Sequence, residues 1–116
     1  MGTAREDLLT VDRTPSRDPS VSVFVVRGEL DLCSRPILDE ALTGCGGTVV
    51  LDLRALTFVD STGVHALIHL RRHLGGRGGD LRLVYGAGQQ LTRVFGILGL
   101  DELFPPYDDV DAAAAG

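Results

Sequence analysis

The chain has 116 residues, 44% of them hydrophobic and 23% charged, which is enough apolar material for one core and too little length for two domains. With 16 acids against 11 bases the formal charge is −5, a balance that excludes a phosphate-tracking nucleic-acid binder and suits a partner with a basic patch. Every base is an arginine, and the absence of lysine removes Schiff-base and P-loop chemistry together.

In chain order, Leu8 to Val11 reads as a short edge strand, and the polar, proline-bearing run Thr14 to Ser20 as a turn. Val21 to Val26, VSVFVV, is β-branched and nearly continuous, so the two strands are expected to form a hairpin. Ser34 is placed to cap a helix whose first turn holds Pro36 and whose apolar stripe is Ile37, Leu38, Ala41 and Leu42; Gly44 ends it in a left-handed conformation. Thr48 to Leu53, TVVLDL, is the kind of run found in a strand buried on both faces. Ser61 to Leu74 is the strongest helix, with Val64, Leu67, Ile68, Leu70 and Leu74 on one side and His65, His69, Arg72 and His73 opposite.

The glycine-rich loop Gly75 to Gly79 leads into a strand at Asp80 to Tyr85. A third helix over Gln89 to Leu98 carries Leu91, Val94, Phe95 and Leu98 at i, i+3, i+4 and i+7 and is closed by Gly99. The tail DDVDAAAAG is left open between a frayed helix and no structure. The order ββαβαβα describes an α/β (mixed α+β) fold, a small four- to five-stranded mixed sheet with helices mainly on one face. A single domain over residues 1–116, with its core at about 8–110, is expected.

Candidate chemistries thin out quickly. Ser61 lacks the G-x-S-x-G frame of a nucleophile elbow, and all three histidines lie on the helix that Ser61 opens. His65, His69 and His73 at i, i+4, i+8 lack the glutamate of HExxH, since Ala66 stands in its place, and read as a solvated face; no metal or other cofactor is expected. Gly86-Ala87-Gly88 is half of a dinucleotide fingerprint whose third glycine is replaced by Leu91, and it reads as a turn. Cys33 and Cys45 form no CxxC pair and suit two thiols in a reducing cytoplasm. The stretch MGTAREDLLTVDR has no apolar core of a signal peptide, and no apolar run approaches the roughly 20 residues of a membrane span, so a cytoplasmic protein without a membrane role is expected.

The quartet Asp60-Ser61-Thr62-Gly63 resists a purely structural reading. Asp60 and Ser61 are both good helix caps, and only one is needed. Glycine in a first helical turn costs roughly 1 kcal/mol against alanine, so Gly63 implies that something approaches the backbone closely there. A serine at a helix N-terminus is also a favourable place for a phosphate, whose charge meets the positive end of the helix dipole and free N–H groups.

FVDSTGVHAL, preceded by TVVLDLRALT, with RGELDL upstream and GLDELF downstream, resembles the STAS family of anti-sigma-factor antagonists over about Leu8 to Val110. The resemblance implies a sheet with helices mostly on one side, no enzyme activity, and a partner-switching role. The unphosphorylated protein would bind an anti-sigma factor that is also a serine kinase of the ATPase type, freeing a sigma factor; phosphorylation would end the complex, and a serine phosphatase would reverse it. Carried onto this chain, the resemblance makes Ser61 the phosphoacceptor, Asp60 part of the contact surface, and Thr62 and Gly63 shapers of the loop. Gly28, Glu29 and Asp31 would form a neighbouring turn of the binding surface. Three features depart from the pattern: Thr62 where a second serine is common, His65 where a small residue is common, and GAGQQ in place of a proline-containing turn, to which no function is attached. The family also contains unphosphorylated scaffolds and accessory subunits of transport complexes, the alternative reading.

Overall fold

The computed structural model describes residues 8–116; the seven residues before them, read above for a leader, lie outside the described part. Four strands, β1 (Leu9–Thr14), β2 (Val21–Leu30), β3 (Thr48–Val59) and β4 (Asp80–Val84), lie in the order β1-β2-β3-β4. The first pair is antiparallel, with Leu9 opposite Gly28 and Thr14 opposite Val23, which is the expected hairpin. The pairs β2/β3 and β3/β4 are parallel, and helices make the crossovers: α1 (Arg35–Ala41) between β2 and β3, and α2 (Ser61–Gly75) between β3 and β4. Two further helices follow, α3 (Gln90–Leu98) and α4 (Val110–Ala115).

Strand alternation sorts the core into two layers. Phe24, Val26, Val49, Leu51, Leu53, Leu81 and Leu83 join the large cluster formed with Leu38 of α1, Leu42 just after it, and Val64, Leu67, Leu74, Leu91 and Phe95 of α2 and α3. Phe95 meets Tyr85 edge-on at 5.4 Å and stacks on Phe104 at 5.5 Å. The Tyr85 hydroxyl donates to the Phe104 carbonyl, and burial, helped by the charge of Asp101, pushes this phenol up to about 12.

The tail left open by sequence is a helix, and it covers the other face. Ala113 of α4 packs with Val21, Val23, Val50 and Val84 in a second cluster, so β3 is buried on both sides as its composition implies. Propensity alone does not hold so short a helix. The Asp109 carboxylate accepts the Ala112 N–H at 2.8 Å, and Arg82 Nη1 donates to the carbonyls of Ala113 and Ala114 at 3.0 and 3.3 Å. On the same face Asp52 is 8% exposed and receives Arg54 Nε at 2.9 Å and Nη2 at 2.8 Å. Burial would raise this carboxyl, but hydrogen bonds and charge from Arg54 outweigh it and hold the group below the usual aspartate range.

Three strand ends move by three residues or more. β1 runs to Thr14, β2 to Leu30 and β3 to Val59, where the sequence reading stops at Val11, Val26 and Leu53. The cause in β2 and β3 is a pair of register shifts, between Val25 and Arg27 and between Gly28 and Glu29, which break the apolar alternation without ending the pairing. Gly28 sits in this irregular stretch with φ +103°, and a side chain there would run into the backbone of Leu8. Leu98, expected on the apolar stripe of α3, is 58% exposed, because the last helical turn outreaches the core that Leu91 and Phe95 enter. Gly99 closes the helix in the left-handed region as expected, with the Leu100 N–H bonded to the Phe95 carbonyl at 2.8 Å.

Candidate functional site

β3 ends at Val59, and Asp60 leaves it in an extended conformation, the backbone geometry of an N-cap. Its carboxylate accepts the Gly63 N–H at 2.9 Å, and its carbonyl accepts the Val64 N–H at 3.0 Å. Of the two residues able to cap α2, Asp60 therefore does so. Ser61 is the first helical residue and is exposed; Thr62 is half-buried. The close approach implied by Gly63 is that of the chain itself. A Cβ there would lie 2.5 Å from the Leu30 carbonyl oxygen and 2.8 Å from Val59 Cγ2, so glycine lets the first turn of α2 seat against the end of β2.

The upstream turn meets this corner directly. Glu29 pairs with Phe58 and Leu30 with Val59 across the parallel strands, and the Asp60 N–H donates to the Leu30 carbonyl at 3.2 Å. Asp31 organises the turn, one carboxylate oxygen accepting the N–H groups of Cys33 and Ser34, both at 3.0 Å. Ser34 does not cap α1 with its side chain as expected. Its hydroxyl is buried, donates to the Glu29 carbonyl at 2.6 Å and accepts the Asp31 N–H at 3.0 Å, so it ties the turn instead. The physical reason is that the helix leaves it little to cap: Pro36 has no N–H, and the Ile37 N–H is taken by the Ser34 carbonyl at 2.9 Å.

The sequence-selected residues thus divide. Asp60, Ser61, Thr62, Glu29 and Asp31 gather at one corner of the sheet with side chains half-buried or exposed. Gly63 is buried beneath them. Gly28 lies farther back, between Leu9 of β1 and Leu56 of β3, where its carbonyl accepts the Thr57 hydroxyl at 3.2 Å; it shapes the strand that carries the turn.

Two neighbours were missed. Leu32, in the turn, is 71% exposed, and Phe58, last but one in β3, is 41% exposed. Exposed large apolar side chains ringed by polar groups have the make-up of an interface, an apolar centre within a polar rim. Phe58 carries no alternation signal, because Leu56 and Val59 are both buried while the adjacent Thr57 and Phe58 are both exposed. His65, His69 and His73 are exposed along α2, and among the described residues no group of three or more His, Cys, Asp or Glu side chains is arranged to hold a metal ion. No described helix is long and apolar enough to cross a membrane.

The STAS domain family model matches residues 14–113, and the chain belongs to that family. Among its relatives, the anti-sigma-B factor antagonist of Bacillus subtilis (strain 168) is 29% identical over 94 residues, which cover 78% of this chain and 82% of the relative. The crystal structure of an anti-sigma factor antagonist from Mycobacterium paratuberculosis is 29% identical, with a TM-score of 0.79, covering 94% of this chain and 93% of the other. The phosphorylated form of the Bacillus cell fate determinant SpoIIAA shares the fold, with a TM-score of 0.68 at 20% identity, 91% of this chain covered and 98% of that one.

Proposed function

We propose that this chain is an anti-sigma-factor antagonist that works by partner switching. Unphosphorylated, it binds an anti-sigma factor of the serine-kinase ATPase type in the cytoplasm and frees a sigma factor. Phosphorylation of Ser61 ends the complex, and a serine phosphatase restores it. The chain contributes a surface and an acceptor hydroxyl; the chemistry belongs to the kinase and the phosphatase, and one STAS unit is sufficient for the role.

The observation that carries this reading is the division of labour at the start of α2. Asp60 caps the helix, so the exposed Ser61 hydroxyl has no structural duty as a cap. A phosphate adds about −1.5 to −2 charges at a helix N-terminus, where the dipole and free N–H groups accommodate it. The fold tolerates the group and the partner does not. It arrives beside Glu29, Asp31 and Asp60 and next to the apolar Leu32 and Phe58, where repulsion and desolvation of several kcal/mol cost a hundredfold or more in affinity. The names of the two relatives at 29% identity support the class of partner.

The test is a phosphopeptide map of the protein from its own cells together with titration against the anti-sigma factor it captures. A single phosphate on Ser61, absent from Ser61→Ala, and at least a hundredfold weaker binding by the phosphorylated form are expected. A phosphate on Thr62 moves the switch by one residue. No phosphate under growth and stress conditions replaces this reading by an unphosphorylated scaffold.

A further inference from the structure

β4 pairs with β3 only from Thr48 to Asp52, so the last seven residues of β3 face that side without a strand neighbour. Two glutamines stand in for the missing strand. Gln89 Nε2 donates to the carbonyl of Leu53 at 3.0 Å and to those of Arg54 and Leu56 at 3.3 Å, while its Oε1 accepts the Gly86 N–H at 2.7 Å. Gln90, the first residue of α3, accepts the Val59 N–H on Oε1 at 2.9 Å. The next N–H along the chain, that of Asp60, is held from the opposite side by the Leu30 carbonyl. The exit of β3 into α2 is therefore pinned from both edges, by backbone on one and by a side chain on the other.

We propose that Gln90 is a positioning residue of the Ser61 switch: by holding the Val59 N–H it fixes the strand exit from which Asp60 caps α2 and Ser61 faces a partner. The proposal rests on the reading of Ser61 as phosphoacceptor and goes beyond it, because it couples the start of α3 to the site. A main-chain bond in this place would be indifferent to side-chain identity, whereas the bond made here can be deleted by one substitution. Losing the acceptor leaves the Val59 N–H without its partner and gives the strand exit freedom that kinase and anti-sigma factor must then remove on docking.

The test compares the full-length wild-type chain with Gln90→Met, which keeps the length and loses the acceptor, and Gln90→Glu, which keeps the acceptor. Amide exchange by NMR needs no partner. Gln90→Met is expected to speed exchange at Val59 and Gly63 by roughly tenfold while Val50 and Leu51 stay as in wild type, and Gln90→Glu to restore protection. With the kinase captured by the wild-type chain, Gln90→Met is expected to lower kcat/KM for Ser61 phosphorylation by roughly tenfold, again with recovery in Gln90→Glu. Unchanged exchange at Val59 overturns the proposal, as does equal loss of protection at Val50 and Leu51, which would make Gln90 a support of the whole sheet. Altered exchange with unaltered phosphorylation also overturns it. A wild-type chain that no kinase phosphorylates fells the Ser61 reading and the switch role of Gln90 with it, while exchange alone still decides whether the strand exit is pinned.

Discussion

At Gly63 a single hydrogen atom decides whether α2 can begin where it does. Gly63→Ala puts a methyl group against the Leu30 carbonyl and Val59, and a loss of about 1–3 kcal/mol in urea unfolding is expected. Asp60→Ala removes the cap and is expected to cost about 1 kcal/mol, whereas Ser61→Ala stays within about 0.5 kcal/mol of wild type. That contrast separates the structural residue of the pair from its neighbour. Asp52 supplies a pH signature elsewhere. Its folded-state value lies below the ordinary 3.8, so its contribution is present above that value and is lost as pH falls through the depressed one. Asp52→Asn is expected to flatten the acid limb of melting temperature against pH while lowering stability near neutrality. At this scale the quartet was legible because acid, hydroxyl and glycine each carry a distinct local cost. Leu32, Phe58 and Gln90 were not, since their roles depend on which surface stays uncovered and which N–H lacks a strand partner.

Among the elements, β3 was half seen. Its first half is a plain apolar run; its second half mixes exposed Arg54, Thr57 and Phe58 with buried Leu56 and Val59 across a register shift, and such a shift has no signature in one strand's composition. The helices were clearer, because their apolar stripes recur from turn to turn, and what misled was the Ser34 cap of α1 and the uncovered last turn of α3. α4 lay beyond reach, since its stability comes from Asp109 and from Arg82, 31 and 32 residues before the carbonyls it bonds. Arg82→Met is therefore expected to raise hydrogen exchange across residues 110–115 while leaving the amides of Val49 to Leu51 protected, as measured by mass spectrometry on peptides.

For the whole molecule, the proposed function assigns the charge of −5 and the apolar pair at the corner different parts in recognition. Under the proposed function, a partner with a basic patch is expected to associate more slowly as salt rises from about 50 to about 500 mM, the signature of electrostatic steering. Phe58→Ala is expected to leave that rate nearly unchanged and to shorten the lifetime of the complex, costing about 1–3 kcal/mol by surface plasmon resonance.

Among the described residues, β1 reaches no farther than Gly28 and β4 no farther than Asp52, so the acidic turn, Phe58 and Ser61 stand on a two-stranded overhang past both neighbours. The exposed Leu32 and Phe58 there bear little of the burden of keeping the chain folded, unlike Asp31 and Asp60. Leu32 and Phe58 are free to drift between duplicated copies of such a protein, each copy acquiring its own correspondent while the common scaffold stays sound. A cell holding several of these switches could keep them from crossing wires by altering a few side chains on a ledge.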